Sequence, residues 1–158
     1  MKIRTEIKIE KNPKATWEII GNQFGDIAKW ASFFKSSKAT GENKFEGINF
    51  SARDSVIQGE ENTHSLYIFD SQNYILAYTV TAGAPPFADL VKAQWALESS
   101  DENSCTASIE VNVDLKDMVP EEKATEVTMW LTKSGNEMLE ELKYYTETGN
   151  LHQRKLNQ

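Results

Sequence analysis

Few side chains in this sequence are suited to chemistry, and their scarcity is the first constraint on function. There are two histidines, His64 and His152, and one cysteine, Cys105. Histidine titrates nearest neutral pH and can donate or accept a hydrogen bond. His64 sits at a strand margin in ENTHSLYIF and is a candidate for either role, with a solvated strand-edge histidine as the plainer alternative. His152 lies in the polar tail LHQRKLNQ, which is expected to fray. Two distant histidines and one cysteine give no zinc-ligand spacing, so no metal is expected. Cys105 shares the parity of the apolar residues in the strand it opens, which reads as an inert core thiol rather than a nucleophile. Neither a glycine-rich phosphate loop nor a nucleophile elbow occurs, and no cofactor is expected. Arg53, after Phe50-Ser51-Ala52, can meet a ligand oxygen, pair with an acid, or be solvated. Glu60, Glu61 and Glu102 fall in turns and read as solvated. Acid–base work would rest on His64, Arg53, a tyrosine such as Tyr78, or bound water.

Composition narrows the partners. The 158 residues suit a single domain, 1–158, with one core. With 26% charged and 39% hydrophobic residues, the chain is of the soluble globular kind. A net charge of -7 and a pI of about 4.9 exclude a non-specific nucleic-acid binder and disfavour docking on anionic lipid. No apolar run is long enough to span a bilayer, and no stable membrane insertion is expected. The start MKIRTEIKIE lacks the apolar stretch of a secretory signal, and a lone cysteine suits a reducing compartment, so a cytoplasmic monomer or homodimer is expected.

The elements that must position these residues follow from periodicity. IRTEIKIE alternates and predicts a first strand. Asn12-Pro13 is a cap followed by proline, and opens a helix over about 13–20, with Gly21 as its stop. Asp26 is placed to cap a second short helix over about 27–33, carrying Ile27, Trp30 and Phe33. About six strands are expected over 36–115, broken at glycine-rich and polar turns. The clearest is TASIEVNVDL, which sets Ile109, Val111 and Val113 on one face; DLVKAQWAL does the same for Val91, Ala93, Trp95 and Leu97. Pro120 and two glutamates start a long terminal helix, and Gly149 ends it. Its stripe of Val127, Leu131, Ser134, Met138, Leu142 and Tyr145 is interrupted by Ser134-Gly135. The interruption predicts a cavity between helix and sheet; the alternative is that Gly135 permits close helix–strand contact. Trp17 is assigned to the core.

The ordered set ATWEII, FGDIAKW, LYIFDSQNYILAYTV, TAGAPPFAD and TEVTMWLTKSGNEMLEEL resembles the START-like, or SRPBCC, superfamily over nearly the whole chain. That resemblance implies an α+β helix-grip fold: a curved seven-stranded antiparallel sheet wrapped around a long C-terminal helix, with two short helices after strand 1. Over roughly 26–142 the chain is also similar to plant abscisic acid receptors. Their gate loop would fall on Gln58–Ser65 and their latch on Ala82–Asp89. The similarity implies pocket positions at Trp30, Phe33, His64, Tyr78, Val80, Phe87, Trp95, Ile109, Val111, Trp130, Ser134 and Met138, with Arg53 near a position where relatives often carry arginine. Ala31 replaces the receptors' ligand-anchoring lysine, the gate proline is missing, and the latch reads APPF, so hormone recognition of that kind is not implied.

The expectation is therefore a binder of a lipid-like or polycyclic hydrophobic small molecule in an internal cavity. One alternative is a polyketide or aromatic cyclase or dehydratase using the same cavity, which can work largely by holding a reactive chain in shape. The other is a protein-partner module, such as a chaperone cofactor or toxin-like regulator, on the same fold.

Overall fold

The alternating segments pair into one antiparallel sheet. A computed structural model describes residues 1–158. The strands are β1 (Lys2–Ile9), β2 (Ser36–Thr40), β3 (Ala52–Ile57), β4 (Glu60–Asp70), β5 (Ile75–Ala82), β6 (Ala88–Asp101) and β7 (Ser104–Leu115). Their order is β1-β7-β6-β5-β4-β3-β2, so β2 to β7 form a meander and β1 closes against β7. Register follows the apolar parity. Ile3 lies opposite Val111 and Thr5 opposite Ile109. Ala93 lies opposite Val111, and Trp95 opposite Ile109. These residues therefore share one face. Register shifts at Thr63/His64, Leu66/Ile68 and Ala88/Leu90 bend the long strands, and the sheet is curved.

Helix α1 (Pro13–Trp17) begins as its residues require, with the Ala15 N–H donating to Asn12 Oδ1 at 2.8 Å. It does not run on to residue 20. The chain widens into a π turn over Glu18–Asn22 and then a 3₁₀ segment over Phe24–Lys29. Gly21 is no helix stop. A Cβ there would lie 2.4 Å from the Trp17 ring, so glycine makes room for a buried tryptophan. Asp26 is no cap either, because its carboxylate pairs with Lys29 at 2.9 Å inside the 3₁₀ segment. Two short helical pieces do follow strand 1, displaced from their expected bounds.

Helix α2 (Glu121–Thr148) ends at Gly149, whose φ of 73° is left-handed and whose N–H donates to the Tyr145 carbonyl at 2.9 Å. It packs directly on β1 and β7. A Cβ on Gly135 would lie 2.8 Å from Thr5 Oγ1. Gly135 thus serves close helix–strand contact, and the opening lies beside it, toward β4–β6. The tail is not frayed. After Gly149 it forms the short helix α3 (Gln153–Leu156), capped by His152, whose Nδ1 accepts from the Arg154 N–H at 3.1 Å. No helix is long and apolar enough to cross a membrane.

Candidate functional site

Between α2 and strands β4–β7 lies a cavity of about 730 Å³, lined by 28 residues of which 17 are hydrophobic. A cavity of this size falls in the range of small-molecule sites, and its lining fits an apolar occupant. The sheet contributes alternate residues: His64 from β4, Tyr78 and Val80 from β5, Trp95 from β6, Ile109 and Val111 from β7. Helix α2 contributes Trp130, Ser134 and Met138. Phe33 follows the 3₁₀ segment, and its ring meets Trp130 at 5.6 Å between centroids.

The mouth is built from two turns. Gln58 and Gly59 both have positive φ and join β3 to β4 in a two-residue turn of the kind that suits hairpin twist. The stretch aligned with a receptor gate is therefore a tight hairpin turn and a strand. The loop Gly83–Phe87 between β5 and β6 lies against it. A Cβ on Gly83 would lie 2.0 Å from the Glu61 carbonyl oxygen, a contact only glycine allows. Gln58, Glu60, Glu61, Gly83 and Ala84 are exposed and line this end of the cavity; Phe87 is half-buried beside them.

The polar feature of the wall is His64. It is buried, not a solvated strand-edge residue. Its ring stacks on Tyr78 at 4.6 Å and 8°. Arg53 is its cross-strand neighbour on β3, which directs Arg53 Nε to donate to His64 Nδ1 at 3.1 Å. Arg53 is itself only 2% exposed. Its guanidinium lies 4.1 Å from the centre of the Phe24 ring, with Phe34 and Tyr78 nearby, and Nη1 donates to the Phe24 carbonyl at 3.2 Å. Burial without a carboxylate partner lowers its pKa to about 10, so it remains a cation at neutral pH. Burial and the adjacent Arg53 charge hold the His64 pKa well below its ordinary value, so the imidazole is neutral.

Two expected pocket residues do not reach the cavity. Trp30 is 3% exposed and packs edge-on against Trp95 at 6.3 Å; it borders a separate void of about 10 Å³ between the short helical segments and the sheet. Trp30 directly follows the 3₁₀ segment and is covered by it and by Trp95, whereas Phe33, three residues on, reaches the cavity. Arg53 borders the same void and lies behind His64, neither solvated nor paired with an acid. Phe33, His64, Tyr78, Val80, Phe87, Trp95, Ile109, Val111, Trp130, Ser134 and Met138 all stand on the cavity wall. Sequence reasoning passed over Thr5, Phe34, Val91, Ala93, Val113 and Leu131, which line it too. Val91, Ala93 and Val113 were marked by the same alternation that marks Trp95 and Ile109.

Phe33 is held by a polar strap that the sequence did not announce. Glu141 of α2 is 1% exposed and accepts from the Ser32 N–H at 2.7 Å, the Ser32 hydroxyl at 2.6 Å and Arg154 Nε at 2.8 Å. Lys155 Nζ adds a bond to the Phe34 carbonyl at 3.0 Å. The C-terminal tail thereby fastens the segment carrying Phe33 to α2. Cys105 is a buried thiol whose Sγ lies 3.6 Å from Thr16 Oγ1, and burial raises its pKa.

The element order, the curved seven-stranded sheet and the long terminal helix define a START-like, helix-grip fold. Solved structures agree. A START superfamily protein from Mycobacterium smegmatis superposes with a TM-score of 0.77 at 11% identity, over 94% of this chain and 99% of that one. The Zhui aromatase/cyclase from a Streptomyces species gives 0.70 at 13% identity, over 96% and 99%. Ara h 8.0201 gives 0.64 at 16% identity, over 90% and 97%. No family model matches the chain, and no curated protein sequence does.

Proposed function

We propose that this protein binds one hydrophobic small molecule, lipid-like or polycyclic, in the cavity between sheet and α2. The cavity itself carries the proposal: about 730 Å³ with 17 hydrophobic residues among its 28 lining residues. An apolar ligand seated in a cavity of this size makes dispersion contacts with the hydrophobic side chains of its wall. The solved relatives in fold are compatible with ligand binding. A reducing, cytoplasmic setting fits the buried free thiol of Cys105.

The cyclase alternative is favoured by one observation, the His64–Arg53 pair at the wall. A neutral His64 with a depressed pKa is a poor proton acceptor near pH 7, so any such activity would rest on orienting a chain rather than on acid–base exchange. A protein-partner module would instead call for a contiguous exposed apolar patch and a closed or filled pocket. The exposed large apolar residues Tyr67, Met118, Met129 and Leu156 are also spread over β4, the loop before α2, α2 and α3. Titration with 1-anilinonaphthalene-8-sulfonate tests the proposal. Wild type should bind the dye, and Val111→Trp, which narrows the cavity from β7, should weaken binding. Equal binding by both proteins would place the dye elsewhere and remove the support.

A further inference from the structure

The hydrogen bond between Arg53 and His64 determines what the cavity can ask of a ligand. An arginine Nε–H is always a donor, so His64 Nδ1, 3.1 Å away, must be the acceptor. The neutral ring then carries its proton on Nε2. That atom has no partner within the protein, yet it is not among the side-chain nitrogens sealed from solvent, unlike Arg53 Nη2. Since His64 lines the cavity, a fixed N–H donor opens onto a mostly apolar wall. A ligand that covers it without an acceptor leaves a desolvated donor unpaired.

Charge adds a second demand. Arg53 forms no ion pair, and its guanidinium is surrounded by Phe24, Phe34 and Tyr78 rather than by acids. The acids of the wall, Glu60 and Glu61, are exposed at the mouth, where water screens them. A positive charge without a counter-ion therefore stands one side chain behind the wall, in surroundings that screen it weakly. We propose that the ligand meets His64 Nε2–H with an acceptor oxygen, and that a carboxylate is preferred there over a neutral oxygen and strongly over a cation. This rests on the hydrophobic-ligand function proposed above and specifies the polar end of that ligand.

Four probes of one skeleton test it by calorimetric titration at pH 7: 2-ethylnaphthalene, 2-acetylnaphthalene, 2-naphthoate and 2-naphthylmethylammonium. The ketone should bind roughly 3- to 10-fold more tightly than the hydrocarbon, and the carboxylate roughly 10-fold or more, since hydrogen bonds to charged groups are the stronger class. The ammonium probe should bind most weakly. His64→Phe keeps a ring against Tyr78 but removes the donor, and should erase both preferences. His64→Gln, whose amide can accept from Arg53 and donate to the cavity, should retain them. Arg53→Met should remove the preference of carboxylate over ketone. Wild type binding the hydrocarbon as tightly as the ketone and carboxylate overturns the inference and leaves the hydrophobic-ligand function standing. Binding of none of the four overturns both.

Discussion

Replacing Glu141 with alanine should remove a large part of the stability of this protein. The carboxylate is buried at 1% exposure and accepts three hydrogen bonds, two from Ser32 and one from Arg154. Alanine leaves the Ser32 N–H and hydroxyl and Arg154 Nε without their acceptor, while Arg154 Nη2 keeps the Glu137 carbonyl and the Glu140 carboxylate. Breaking a buried charged pair by deleting one partner typically costs about 3–5 kcal/mol. Small domains are stable by only about 5–15 kcal/mol, so the loss would be about a fifth of the total or more. Arg154→Ala should cost a comparable amount, about 3–5 kcal/mol, because it leaves the 1% exposed Glu141 carboxylate with its Ser32 bonds but without its cation. The double variant should fall short of the sum by about 1–2 kcal/mol, the coupling of two groups in direct contact. Urea unfolding followed by tryptophan fluorescence measures all three. A Glu141→Ala loss below about 1 kcal/mol, or strict additivity with Arg154→Ala, would refute the strap, since either means the carboxylate is hydrated and the tail loose.

Three further outcomes are expected. Gly135→Ala should destabilise by about 1 kcal/mol, a steric loss of about 1–3 kcal/mol against Thr5 less the roughly 1 kcal/mol that alanine gains in a helix; in a Thr5→Ala background the substitution should become stabilising, as urea midpoints will show. The depressed His64 pKa means that below the ordinary value of 6.5 the unfolded chain binds a proton that the folded one refuses. Its contribution is thus complete above about pH 6.5 and is lost as pH falls, at up to about 1.4 kcal/mol per pH unit, so the difference between wild type and His64→Gln in chemical denaturation should shrink or reverse between pH 7 and pH 5. Cys105, sealed beneath Thr16, should react with a disulfide reagent only at the rate at which the protein opens; immediate stoichiometric labelling of the native protein would contradict its burial.

Much of the fold was legible because strand period and helix stops are local properties. The alternation of Ile109, Val111 and Val113 fixes a face whatever the neighbour, and Gly149 ends α2 by its own left-handed backbone. The short helical segments were misplaced because a π turn has no local marker, and Gly21 answers to the Trp17 ring rather than to a helix end. The sequence leaves His64 between a pocket residue and a solvated strand-edge one, because a single strand does not reveal that Arg53 lies opposite it. Glu141 and the tail were missed for a related reason. A glutamate beside Leu142 and a polar tail each read as solvated, and only their meeting with Ser32 makes them structural. Parity identified much of the cavity wall, but it carries no information on depth, and Trp30 was lost to that gap.

Trp95 stands between two interiors: the small packed void beneath the short helical segments and the large open cavity beneath α2. On one side, Trp17, Phe24, Ile27 and Trp30 sit in a continuous aromatic and aliphatic cluster that gives the chain its cohesion. On the other, Phe34, Tyr78, Ala93 and Ile109 belong to that same cluster, but Val80, Val91 and Leu131 are only half-buried on the cavity wall. Tolerance to substitution is therefore unequal across the molecule, high on the hollow side and low on the packed side. Residues such as Val80, Val91 and Leu131 can change size while sheet, helix and strap stay assembled. A backbone partitioned in this way can trade one guest for another by drift, without passing through an unstable intermediate, and its shape can outlast nearly all of its sequence, as superpositions at 11–16% identity illustrate.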